Sequence, residues 1–347
     1  MARNSTDLKA DFEGLAIHRN LSEEAKARKA FKGWLNMRLF LTLLLMNVLS
    51  VGLAQPPGME KTYVALLRKV LHEQQEWVKV HAAEYLLWAG YPEGVREAFL
   101  KEEKRFGNKP QYRVGIWRVL YQASRDEADR QIWSGKIKAA FLDEQGPDRI
   151  HAAETLAKLH QSTLAEAPGI TRRAISSSVP PLAAYTLWST AFHSEQERQK
   201  VKQELIGNLA PPSGSHGPGK TISAYALRQL GDLEADQWQL LARAAFDEPG
   251  DAPAKVYLLS TAWVTSGGQP GLLAGQLRQL LMKYSTSPEK GARCEMAMAL
   301  AERGDSAAIP VLNEMFENRH SLQDNAADYD VMAAAAYALI RICQRKN

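Results

Sequence analysis

The chain has 347 residues, 45% of them apolar and 24% charged, which excludes a disordered or low-complexity polymer and provides for one large domain or two ordinary ones. The formal net charge is +4, but residues 1–54 hold eight Lys/Arg against five Asp/Glu, leaving 35 basic and 34 acidic residues in the remainder. With no block of like charge there, nucleic acid is excluded as an expected partner.

Residues 1–36 are polar, mixed in charge and without a fold signal. Residues 37–54 form an apolar run of about 15 residues, short of the roughly 20 that a spanning helix needs. Lys29, Lys32 and Arg38 lead into it, and Gly52 and Ala54 stand at the −3 and −1 positions of a cleavage site. This is the layout of a secretory signal peptide, so cleavage after Ala54 and an exported chain starting at Gln55 are expected. Met37 with the run behind it would make a complete signal by itself. No cysteine follows the run, which excludes a bacterial lipoprotein anchor. The alternative is an uncleaved anchor formed by residues 39–53. If the segment is removed, nothing else in the chain calls for stable membrane insertion.

From Gln55 onward one pattern recurs. An Ala-rich amphipathic stretch, Val78 to Ala89, stops at Gly90 and a new apolar stripe starts after Pro92. Ile150 to Leu159 repeats it, then Ile222 to Leu230 with a stop at Gly231, then Cys294 to Arg303 with a stop at Gly304. Weaker copies fall between, at Tyr112–Leu120, Pro181–Trp188, Ala254–Ser260 and Val331–Leu339. The spacing gives a unit of roughly 35 residues, one helical hairpin, in the range that signals stacked repeats. A single hairpin cannot bury its apolar face, so neighbours must stack to make a continuous core. Alanine pairs such as Ala82-Ala83 and Ala152-Ala153 permit close helix approach. No alternating β-branched run is long enough for a sheet. The expected fold is all-α, a right-handed α-solenoid of about seven to eight stacked hairpins spanning 55–347. Two segments are expected to interrupt it as loops, Leu164 to Pro181 and Leu209 to Lys220. Gly217-Pro218-Gly219-Lys220-Thr221 lacks the first glycine and the preceding strand of a phosphate loop. Cys294 and Cys343 make neither a disulfide framework nor a zinc site; they fit small core positions, with a single disulfide left open in an exported protein.

The stretch Ala297 to Leu312, Ala-Met-Ala-Leu-Ala-Glu-Arg-Gly-Asp-Ser-Ala-Ala-Ile-Pro-Val-Leu, resembles the HEAT-like repeat of the phycobilisome-lyase type, and Ala224 to Asp232 is similar to its first half. The resemblance extends from Glu60 to Cys343 and implies an α-solenoid. It implies little about activity, because such repeats are a scaffold for many functions.

Two constellations are candidates for binding. His-Ala-Ala-Glu occurs twice, as His81/Glu84 and His151/Glu154, and residues three apart share a helix face. In a regular solenoid copies two hairpins apart are on the order of 20 Å from each other, so they cannot share one metal ion, and no metal or other cofactor is expected. The expected partner of each His is its own Glu or a nearby carbonyl. Deoxyhypusine hydroxylase, a HEAT-like metalloenzyme, has adjacent His-Glu where this chain interposes two alanines. The second constellation is aromatic and basic: Trp88 and Trp117 with Tyr85, Tyr112, Arg113 and Arg149, a set suited to a groove for a peptide or a glycan. No catalytic motif is present. The chain therefore reads as an exported, non-enzymatic repeat scaffold that binds a protein or a glycan. The alternative is a glycan-active enzyme whose hairpins close into an α/α toroid, with Glu84, Glu154, His81, His151 and Tyr112 as candidates.

Overall fold

A computed structural model describes residues 59–209, 217–267, 271–318 and 326–345. The polar extension, the signal segment 37–54 and its cleavage site lie outside the described residues. Among the described residues there is no strand, and no helix is long and apolar enough to cross a membrane.

Among the described residues, sixteen α-helices alternate between two layers. The odd-numbered ones are α1 (Met59–Glu73), α3 (Val95–Phe106), α5 (Glu127–Leu142), α7 (Pro168–Ile175), α9 (Glu195–Gly207), α11 (Ala235–Asp247), α13 (Gly271–Met282) and α15 (Ile309–Phe316). The even-numbered ones are α2 (Glu76–Trp88), α4 (Tyr112–Gln122), α6 (Arg149–Lys158), α8 (Pro180–Thr190), α10 (Pro218–Leu230), α12 (Ala254–Val264), α14 (Lys290–Arg303) and α16 (Ala326–Gln344). Every Ala-rich stretch of the sequence becomes an even-numbered helix. Each of these packs on the even helices before and after it, with odd helices against its outer side. The expected helical-repeat architecture is therefore present.

The stops are where the sequence places them. Gly90 and Gly304 adopt φ of +85° and +71°, the left-handed conformation in which a side chain clashes with its own backbone. Side-chain bonds between repeats carry the same period as the sequence. Arg96 meets Asp129 and Lys136 meets Glu103 at separations of 33, Arg118 meets Glu84 at 34 and Arg113 meets Asp148 at 35. Between the layers runs a single apolar core, in which Ala82, Ala83, Ala152 and Ala153 are wholly buried and bring neighbouring helices close.

The array closes on itself. The last helix, α16, packs on α14 and α15 and also on α1 and α2, the first hairpin. Surrounded on all sides, it buries the run Ala333 to Ala336 completely; only methyl side chains admit so many neighbours. His81 in α2 lies 2.8 Å from the Asp330 carboxylate in α16, Tyr85 stacks on Tyr337 with centroids 5.0 Å apart, and Gln344 donates to the Ala89 carbonyl at 2.9 Å. The even helices thus form an unbroken cycle around a central space.

Two details differ from expectation. Leu164 to Pro181 contains α7, because Pro168 at the first helical position fixes φ and needs no N–H partner there. The segment Leu209 to Lys220 is shorter than expected as a loop, since α10 begins at Pro218 for the same reason; residues 210–216 lie outside the described residues. Cys294 and Cys343 form no disulfide with each other.

Candidate functional site

Closure creates a cavity that an open solenoid would lack. A chamber of about 280 Å³ is lined by α2, α6, α8, α10, α12, α14 and α16, seven of the eight even helices. His81, Glu84, Tyr85 and Trp88 face it from α2, Glu154 and Lys158 from α6, Tyr185 from α8 and Tyr225 from α10. Tyr257, Lys290, Cys294, Glu295 and Asp330 complete it. The curvature brings Glu154 of the second His-Ala-Ala-Glu copy to the same cavity as His81 and Glu84 of the first, while His151 lines the adjoining space. Arg118 of α4 lies close to both carboxylates: it donates to Glu84 at 2.7 and 2.9 Å, and its charge lowers the pKa of Glu154 as well.

Charges of both signs meet at the wall. Glu84, Glu154, Glu295 and Asp330 line it with Lys158 and Lys290, Arg118 and Arg228 stand behind Glu84 and Glu295, and Glu302 also pairs with Arg228. Glu84 accepts from Arg118 and from Gln122 (2.8 Å); burial opposes its charge, but Arg118 and Lys158 hold its carboxyl below the ordinary range. Burial opposes the Glu154 charge too, but Lys158 at 2.6 Å, with His151 and Arg118, depresses its carboxyl strongly. Burial pushes the Glu295 carboxyl up, although Arg228 reaches both of its oxygens and Ser260 bonds one of them. Glu295 and Glu302 in turn keep Arg228 firmly charged despite its burial.

The tyrosines are the open functionality. Tyr85, Tyr185, Tyr225 and Tyr257 all line the chamber, and burial raises the pKa of all four, so they remain O–H donors at neutral pH. None of these hydroxyls has a hydrogen-bond partner among the described residues, nor is any of them a solvent-excluded orphan. Tyr225 lies between the Lys158 ammonium (5.9 Å) and the Arg228 guanidinium (5.0 Å), which fixes its ring. Trp88 is 41% exposed at the rim, and its indole N–H donates to Gln122 at 2.7 Å, which holds the ring as a platform.

A second space of about 450 Å³ adjoins the chamber and shares Glu154, Tyr185, Thr221 and Ile222 with it. It lies at the N-terminal ends of α6, α8, α10 and α12. His151 stands at its margin, its ring 5.2 Å from that of Trp77 and its Nδ1 3.7 Å from the Glu154 carboxylate. Gly115 allows this approach, since a Cβ there would lie 3.0 Å from the Trp77 ring.

Of the expected site residues, the ring gathers His81, Glu84, Tyr85, Trp88, His151 and Glu154. It does not gather the others. Tyr112 donates to Glu102 at 2.6 Å, Trp117 to Glu103 at 2.9 Å, Arg113 to Asp148 at 2.7 Å and Arg149 to the Phe141 carbonyl at 3.2 Å. All four tie helices together away from the chamber, so the expected aromatic and basic groove does not form around them. The His pairing also differs: His81 pairs with Asp330, 249 residues away, and not with Glu84. No group of metal ligands occurs among the described residues.

Against known proteins, the chain matches no family model and no curated protein.

Proposed function

We propose that this is an exported, HEAT-like repeat protein whose closed ring binds an uncharged saccharide in its central chamber, without transforming it. The observation that carries this is the set of four tyrosine hydroxyls, each without a hydrogen-bond partner among the described residues, around a cavity whose carboxylates already have partners. A charged ligand would have to compete with those pairs. A polyhydroxyl ligand supplies acceptors for the tyrosines and donors for the carboxylates, and its C–H faces suit Trp88 and the tyrosine rings. Of the two ligand classes expected from the sequence, the glycan fits the size: a folded protein cannot enter about 280 Å³.

Binding is favoured over hydrolysis because the carboxylates are occupied. Glu84 and Glu154 each face a cation, Asp330 pairs with the His81 ring, and both oxygens of Glu295 already accept bonds. Calorimetric titration with neutral mono- and oligosaccharides tests the proposal. Tyr225→Phe and Tyr257→Phe should each weaken binding about three- to tenfold, the worth of one hydrogen bond, with an unchanged melting temperature. Wild-type affinity in both variants, or tighter binding of charged sugars, would overturn it.

A second reading, a glycan-active toroid, is favoured by one observation: Glu295 is raised and Glu154 lowered in one cavity, the division of labour of an acid and a base. Release of reducing ends from a bound oligosaccharide, abolished in Glu295→Gln, would establish it in place of simple binding.

A further inference from the structure

The larger space beside the chamber has a different chemistry. Its wall is built by Ile150, Pro181, Pro218, Ile222, Pro253 and Ala254. Four helix N-termini converge there, an arrangement that ordinarily offers backbone N–H groups to an anion. Here prolines occupy the first turns of α8 and α10 and the N-cap of α12, and proline has no N–H. Of the two acids on its lining, Glu248 is taken by Lys220 at 2.6 Å, both almost fully buried, and Glu154 by Lys158 at 2.6 Å. The space is thus largely apolar, and it adjoins the tyrosine chamber, with which it shares Glu154, Tyr185, Thr221 and Ile222.

We propose that the ligand is amphiphilic: a saccharide head in the chamber and an apolar chain, alkyl or acyl, in the proline-lined vestibule. This rests on the saccharide reading of the chamber. The two spaces share four lining residues, and this adjacency assigns the apolar occupant to the same molecule. A neutral free sugar would leave the larger and more apolar of the two cavities unfilled, whereas each methylene removed from water into it strengthens binding by about fourfold.

Calorimetric titration of the full chain with methyl and hexyl glycosides of glucose, galactose and N-acetylglucosamine tests this, with 1-hexanol as the tail alone. The expected result is that, for at least one sugar, the hexyl glycoside binds tighter than the methyl one by about fourfold for each methylene buried, and tighter than hexanol. Ile150→Asn should bring the hexyl affinity toward the methyl value. Equal affinities for methyl and hexyl glycosides would overturn the vestibule assignment and leave the saccharide chamber standing. Hexanol binding as tightly as every hexyl glycoside would overturn the saccharide reading and the amphiphile with it, as would binding by none of these compounds.

Discussion

Arg118 is 1% exposed and holds Glu84, a residue of the chamber wall, through two nitrogens. Removing it strands a buried carboxylate. Arg118→Met should lower unfolding free energy by about 3–5 kcal/mol, and adding Glu84→Gln should restore a large part of that, a coupling that urea denaturation of the single and double variants will measure. The same carboxylates set the acid response. Glu84 and Glu154 have folded pKa values below the ordinary 4.5, so the native state binds fewer protons than the unfolded chain. Their contribution is complete above that value and is lost as pH falls below it toward the depressed values. Urea midpoints should therefore be level with respect to these groups from pH 7 to about 5 and fall below 4.5, with a shallower fall in Glu154→Gln. In the sequence, Arg118 was visible as a lone cation on an otherwise apolar stripe, yet its partner was not, because pairing across hairpins depends on their rotation. The recurring tyrosines, Tyr85, Tyr185, Tyr225 and Tyr257, were visible too, but an aromatic on an Ala-rich helix is ordinarily packing, and only closure turns these four toward common space.

At the scale of elements, the hairpins were legible because an amphipathic run and a restart recur, with left-handed glycines at two of the stops, Gly90 and Gly304. His160 occupies the stop position of its repeat with φ of +57°, close to the conformation of those glycines, and stacks on Phe192 with centroids 4.4 Å apart. The path of α16 was not legible. Its alanine run shows that it is enclosed but not by which helices, and its contacts to α1 and α2 join residues about 250 positions apart, such as His81 with Asp330. This seam is a testable element. Tyr337 is 8% exposed and covers Tyr85. Tyr337→Ala should cost about 3–5 kcal/mol, the value of a core aromatic, where the terminal helix of an open array would yield far less. Thermal unfolding of this variant would show the difference.

At the scale of the whole molecule, curvature decides function. Each hairpin turns slightly relative to the last, and whether eight of them meet is the sum of many small angles set by side-chain sizes between layers. No single residue encodes it, which is why composition and period lead to a stacked array but leave its end-to-end contact open. The chamber, the arrival of Glu154 at the same cavity as His81 and Glu84, and the His81–Asp330 pair all depend on that sum.

A ring has no privileged starting point. The side chains of Glu60 and Gln344 lie 3.5 Å apart, so the order in which the ribosome makes the hairpins is incidental to the finished object. A circular permutant that links residue 345 to residue 59 and opens a new start at Gly250, in the exposed turn before α12, should reach the same fold. Matching circular dichroism and a single unfolding transition in that rewired chain would show that the fold belongs to the cycle of hairpins and not to the sequence of their synthesis.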